Sequence, residues 1–333
     1  MKIFADFHHS GLFTSLKYLF EGRLGHTLYR PIGTEWFTEG YWKIAEPYGN
    51  NIGTVNQFLK PGSTPTDGTR PLNEQLDDCL TLEQFKNTDI DIIVASIPAH
   101  IEAYSRLIHE CKPSAKLVYQ IGNIGWHNEI PWDSVTNIMA SVKPFMVPKG
   151  KNVVFYRQEF DLNIFKPGNN DEVLPFITSF VNCLPQPEKY EKLKTLLSEY
   201  EFKAFGASCP DGVINNTSTI ASIMQHSMFG YHNKPHGDGF GHVIHNWFAV
   251  GKPIIVNTED YKDKLAGELL RDGVTCIDMC RKSEVNIADE IRHVVSTGMY
   301  KQMCENVKER FGIIVNYNQD ANNVANFLEK VVG

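Results

Sequence analysis

The sequence predicts an α/β protein made of two parallel-sheet units in tandem. One reason is length: 333 residues exceed the ~250–300 at which a single hydrophobic core stops growing. A second is the alternation of short apolar runs with helix-period segments in both halves. The third is the cluster Pro167-Gly168-Asn169-Asn170, which follows the run closing the first half and suits an interdomain linker. The expected division is residues 1–150 and 151–333, with the last helix free to pack back on the first domain.

In the first half, residues 2–7 read as a strand that ends in His8-His9-Ser10-Gly11. Leu12, Leu16, Leu19 and Phe20 then recur at the spacing of one helix face. Residues 28–33 form a second strand, stopped by Pro31 and Gly33. The segment 36–70 is rich in aromatics, Gly, Pro, Asn and Thr without a regular period, and reads as an elaborated loop. Strands follow at 91–96, 116–120, 134–140 and 152–161, with a helix over 99–111 after Pro98. Asp77-Asp78 reads as part of a solvated helical segment.

The second half repeats the alternation. Strands are expected at 176–181, 202–206, 228–230, 253–257 and 274–278. Helices are expected at 188–200, 218–226, 243–250 (stopped by Gly251), 283–296, 300–311 and 319–332. Open parallel sheets bind ligands outside the carboxyl ends of their strands, so the loops there are where a site is sought.

The chain is 42% hydrophobic and 21% charged, which excludes the low-hydrophobicity, high-charge profile of disorder. A formal net charge of -7 gives no general attraction for nucleic acid or an anionic membrane, although a local basic groove would escape this argument. Seven scattered cysteines with no CxxC pair exclude a zinc ribbon and suit reduced, mostly buried thiols. The first residues lack the apolar core of a signal peptide, and no run approaches the roughly 20 apolar residues of a membrane span. A cytoplasmic enzyme is expected, in the host cytoplasm if the chain is viral.

The densest chemistry lies in His236-Gly237-Asp238-Gly239-Phe240-Gly241-His242. Three alternating glycines just before an apolar helix let backbone amides approach a ligand at a helix N-terminus, where an anion is stabilised. A glycine turn alone is weak evidence, since many such turns are only tight connections. Lys234, His236, Asp238, His242, His245 and Asn246 around it exceed what a connection needs.

The run from Asp238 to Ile255 resembles the EGFGxxxxEAxAxGxPVI signature of GT-B glycosyltransferases, particularly the retaining family 4 type, in its glycines, Phe240, Ala249, Gly251 and Pro253. Phe160-Asp161-Leu162-Asn163-Ile164-Phe165-Lys166-Pro167 is similar to that family's interdomain segment, GVDxxxFxP. The resemblance implies two Rossmann-like domains facing each other across a cleft, an N-terminal acceptor domain and a C-terminal nucleotide-sugar donor domain. It implies transfer of a hexosyl or pentosyl group from a nucleotide-diphosphate sugar to an acceptor hydroxyl, with retention and without a metal or other cofactor.

Carried over by position, Asp238 stands at the first glutamate of the family's E-x7-E pair, beside the donor sugar, and Asn246 at the second, which binds ribose. Asp keeps the charge on a shorter arm, whereas Asn keeps the hydrogen bond but loses its charge assistance. Gly239, Phe240 and Gly241 match backbone that approaches sugar and diphosphate, and Gly237, His236 and His242 are the further candidates beside them. The family's Arg and Lys for the diphosphate follow the first strand of the second domain in a GR-x-x-x-KG pattern. This sequence has Ser179-Phe180-Val181-Asn182 there, with Lys189 and Lys192 only later, so Lys234 and Arg157 are the substitute candidates. Ser10 and Gly11 offer amide donors at the first strand's end, with His8 to contact and His9 to contact or deprotonate the acceptor. The bland reading is a helix cap. His127 is the candidate for a histidine near the donor sugar, against an equally weighted structural loop role. His100 and His226 have no such support.

The acceptor is not legible: a glycan, a metabolite, a protein or a hydroxymethylated base of bacteriophage DNA all fit. Two other classes share the implied fold, a nucleotide-sugar epimerase and a non-catalytic sugar-nucleotide-binding module.

Overall fold

The structure, a computed structural model, describes residues 1–7, 10–32, 36, 78–122, 129–143, 147–169, 172–181 and 184–333. The chain divides into two compact units, Met1–Phe160 with Tyr317–Gly333, and Asp161–Asn316. The division thus lies about ten residues beyond the boundary read from the sequence, and the final helix belongs with the first unit.

The first unit holds β1 (Lys2–Ala5), α1 (Ser10–Lys17), β2 (Thr27–Pro31), β3 (Cys79–Leu80), α2 (Leu82–Asn87), β4 (Ile92–Ala95), α3 (Ile101–Cys111), β5 (Lys116–Ile121), β6 (Asn137–Ala140) and β7 (Asn152–Phe155). The strands form one sheet in the order β3-β2-β1-β4-β5-β6-β7, with every pair parallel. The side chains of β4 show why its run is apolar throughout. Ile92 and Val94 join Ile3, Ala5, Val118 and Met139 in one core, while Ile93 and Ala95 join Phe4, Tyr119 and Ile138 in the other. A strand covered on both faces has no polar position to alternate. Directly after Asp77-Asp78, whose surroundings read as helical, Cys79-Leu80 pairs with Arg30 and Pro31 as an edge strand, and Asp78 meets the Arg30 guanidinium at 3.4 Å.

The second unit holds β8 (Leu174–Phe180), α4 (Pro187–Leu196), β9 (Glu201–Phe205), α5 (Thr217–His226), β10 (Ser227–His232), α6 (His242–Ala249), β11 (Ile254–Val256), β12 (Cys276–Asp278), α7 (Glu284–Ser296) and α8 (Met299–Ile314). Its parallel sheet has the order β12-β11-β10-β8-β9. The chain runs outward from β8 to β9 and returns to the other side of β8 as β10, so the strand order reverses between β8 and β10. Such a switch point leaves a crevice at the carboxyl ends of the two strands. Gly230 in β10 lets α6 approach closely, because a Cβ there would lie 2.6 Å from the Trp247 ring.

The final helix, α9 (Tyr317–Val332), returns to the first unit, where Val324, Phe327, Leu328 and Val331 enter the core that contains Ile3 and Ala5. Among the described residues, no helix is long and apolar enough to cross a membrane.

Candidate functional site

The glycine run leaves β10 at its carboxyl end, beside the switch point, and leads into α6. His236, Gly237 and Gly241 take left-handed backbone angles, with φ of 65°, 65° and 84°. Glycine is needed at 237 and 241 for space as well. A Cβ at Gly237 would lie 2.6 Å from the Asp260 carbonyl oxygen, and one at Gly241 would lie 2.8 Å from Ala266 Cβ.

The amides of the run fall into two sets. His236 N–H donates to Asp260 Oδ1 at 3.0 Å, Gly237 N–H to the Lys234 carbonyl at 2.8 Å, and Asp238 N–H to Tyr261 Oη at 3.2 Å. These three serve the loop itself. Among the described residues, no acceptor faces the amides of Gly239, Phe240 and Gly241, and no side chain caps α6. Unsatisfied amides leading into an uncapped helix N-terminus are an arrangement that can accept an anion.

Around this terminus the side chains have distinct places. Phe240 is buried, stacked on His245 and edge-on to the half-buried His242, so its ring packs the run against α6. His245 is itself buried, with Nδ1 2.9 Å from the Gly241 carbonyl. Asn246 is half-buried on α6, and its Oδ1 is buried with no hydrogen-bond donor. His236 is exposed. The half-exposed Lys234 ammonium donates to Asp238 Oδ1.

Asp238 is the centre of a polar cluster, its other oxygen lying 3.1 Å from His232 Nε2 and 3.2 Å from Tyr261 Oη. Burial acts to raise its pKa, but the His232 hydrogen bond, followed by the Lys234 charge, holds the carboxyl well below the usual carboxylate range. Burial and the Asp238 charge both push the Tyr261 hydroxyl upward, so it stays a proton donor. Beneath the run, the largely buried Lys264 donates to the His236 and Asp260 carbonyls, and burial lowers its pKa. His232, Tyr261 and Lys264 carry no motif in the sequence. The signal that could find them is positional: His232 ends β10, and the polar stretch 258–264 follows the carboxyl end of β11.

A small polar recess at the ends of β10, β11 and β12 is lined by Asn233, Asn257, Lys282 and Glu284. Lys282 is paired with Asp272 and Glu290, and Glu284 with Lys192.

In the first unit, Gly11 lies in the first turn of α1 and Ser10 begins that helix, while His8, His9 and His127 lie outside the described residues. Arg157 follows β7 in the first unit, where its amide donates to Asp320 Oδ2 at 3.0 Å and its guanidinium lies 3.9 Å from the same oxygen. It therefore stands with α9 rather than with the glycine run's unit. His100, given no weight from sequence, is buried with Nδ1 2.7 Å from Asp6 Oδ2. Asp6 also accepts from the Ser96 amide and, at 3.1 Å, from Tyr104 Oη, clasping the ends of β1 and β4.

No family model matches the sequence, and no curated protein matches it in sequence. Solved structures do match in fold. The Anabaena protein Alr3699/HepE, in complex with UDP and glucose, superposes with a TM-score of 0.64 at 12% identity, over 98% of this chain and 99% of that one. A glycosyltransferase from Rickettsia africae superposes at 0.62 with 12% identity, over 99% and 98% of the two chains. AviGT4, a glycosyltransferase involved in avilamycin A biosynthesis, does so at 0.56 with 7% identity, over 100% and 98%. The chain thus has the two-Rossmann-like GT-B fold of these glycosyltransferases.

Proposed function

We propose that this protein is a glycosyltransferase that moves a sugar from a nucleotide-diphosphate sugar to an acceptor hydroxyl, with the second unit as donor domain and the first as acceptor domain. The observation that carries this reading is the uncapped N-terminus of α6 behind the amides of Gly239, Phe240 and Gly241, which have no acceptor among the described residues. A diphosphate is the leaving group whose growing charge such a terminus stabilises without reorganisation. In the reaction the bond from the anomeric carbon to the diphosphate breaks with its electron pair, the acceptor oxygen bonds that carbon, and the acceptor's proton departs with the nucleoside diphosphate.

Lys234 adds positive charge beside the phosphates, Asp238 faces the donor sugar, and the unpartnered Oδ1 of Asn246 accepts from ribose. Because helix terminus and lysine supply the charge, transfer proceeds without a bound metal, and the family likeness favours retention. Alr3699/HepE is seen with UDP-glucose, which makes that nucleotide sugar the first donor to try.

The test is incubation with UDP-, GDP- and ADP-sugars, following nucleoside diphosphate release and sugar transfer, with acceptors that include glycans and hydroxymethylcytosine DNA. Release or transfer that persists with a chelator supports the reading. Isomerised donor would make the protein an epimerase, and saturable binding without turnover a binding module.

A further inference from the structure

We propose that His232 and Tyr261 are positioning residues that hold the Asp238 carboxylate in one orientation beside the donor sugar, an inference that rests on the donor-site reading of Asp238. Three polar groups from separate segments meet at one point. His232, at the end of β10, is 2% exposed and Tyr261, beyond β11, is fully buried. His232 Nε2 is 2.8 Å from Tyr261 Oη and 3.1 Å from Asp238 Oδ2, and the Tyr261 hydroxyl is 3.2 Å from the same carboxylate oxygen.

The protons have one arrangement that satisfies the group. Asp238 N–H donates to Tyr261 Oη, so the tyrosine's own proton must serve Asp238 Oδ2. His232 must then carry its proton on Nε2, shared between the tyrosine oxygen and the carboxylate. Its Nδ1 is buried without a partner, and a lone pair stranded there costs less than a stranded N–H donor. A protonated Asp238 would bring a third donor to a point already supplied with two.

The arrangement answers a local need. Asp238 follows two consecutive residues with positive φ and belongs to no helix or strand, so regular structure does not fix its side chain. The half-exposed Lys234 is a poor anchor, since exposed ion pairs hold their partners weakly. The buried imidazole and phenol grip Oδ2 and leave Oδ1, shared only with the half-exposed ammonium, for a sugar hydroxyl.

Tyr261→Phe, His232→Ala and His232→Gln are compared with the parent protein in UDP-glucose cleavage and in UDP binding. Losing a hydrogen bond to an ionised group predicts a kcat about 10- to 100-fold lower in Tyr261→Phe and His232→Ala. UDP affinity should stay within about twofold, because the diphosphate meets other groups. His232→Gln, whose amide can replace the Nε2 donor, should recover most of the loss. Unchanged kcat in both disabling variants, or affinity falling in step with kcat, overturns the proposal.

A second measurement is independent of turnover. Nitrogen NMR of His232 in the parent protein should show a neutral ring protonated at Nε2, with a signal that moves in Tyr261→Phe. A ring protonated at Nδ1 overturns the arrangement. If the parent protein neither binds UDP nor cleaves any nucleotide sugar, the functional reading falls, and the nitrogen spectrum alone decides whether the clamp exists.

Discussion

The ring of Phe240 lies on the imidazole of His245, with centroids 4.1 Å apart and planes 18° from parallel. The contact joins the glycine run to the first turns of α6, and both side chains are buried. Phe240→Ala removes a buried ring and should cost about 3–5 kcal/mol. Urea denaturation reads this loss. A cost under about 1 kcal/mol would mean that the ring does not anchor the run.

Gly241→Ala tests the backbone of the same run. The residue has φ of 84°, and the new Cβ would meet Ala266 Cβ at 2.8 Å. Positive φ and overpacking together should destabilise the protein by about 1–3 kcal/mol. Because the amide at 241 opens the helix terminus, UDP titration should show weakened binding as well. Wild-type affinity in a folded Gly241→Ala protein would place the diphosphate elsewhere.

Asn246→Ala separates binding from stability. Its Oδ1 makes no hydrogen bond within the protein, so stability should change by no more than about 0.5 kcal/mol. If that oxygen accepts from ribose, UDP affinity falls about 10-fold, the worth of one hydrogen bond at roughly 1.4 kcal/mol. Calorimetric titration with UDP and with deoxy-UDP makes the comparison direct. Equal loss for both nucleotides assigns the contact to another part of the ligand.

The parts of this molecule legible in the sequence are those governed by local pattern. β4 is visible because Ile92, Ile93, Val94 and Ala95 are all buried, and a four-residue apolar run bounded by polar residues is too short for a buried helix. The switch from strand to glycine run to α6 is visible for the same reason. β3 escapes the pattern because Cys79 and Leu80 carry no period of their own and acquire their identity from the parallel pairing with β2. The clamp on Asp238 escapes it because residues 232, 238 and 261 meet only once two loops have been placed. The stretch around Tyr261 has the composition of a solvated turn, and nothing local marks its aromatic ring as fully buried. His100 has no local support in the sequence because its partner, Asp6, stands 94 positions away.

Asp238→Asn probes the carboxylate through pH. Its folded pKa lies below the usual range, so the stabilisation is complete above the unfolded value of about 3.9 and disappears only as pH falls toward the folded value. The variant should therefore be weaker by about 1.5–3 kcal/mol near neutral pH. The gap should persist at about pH 5 and narrow at about pH 3, as measured by urea midpoints. A gap that stays constant down to about pH 2 would mean an unshifted carboxyl.

The two units can be addressed separately through α9, which follows the second unit in sequence but lies in the first unit's core. Leu328 is fully buried there beside Val324 and Phe327. Leu328→Ala should lower the first unit's stability by about 2–5 kcal/mol. The glycine run lies in the other unit, so UDP affinity should be unaffected. UDP at 100 times its dissociation constant should stabilise the second unit by about 2.7 kcal/mol in parent and variant alike. Thermal unfolding with site-specific probes in each unit, with and without UDP, therefore yields a mutation effect confined to the first unit and a ligand effect confined to the second. A UDP effect that disappears in Leu328→Ala would show that the donor site depends on the integrity of the first unit.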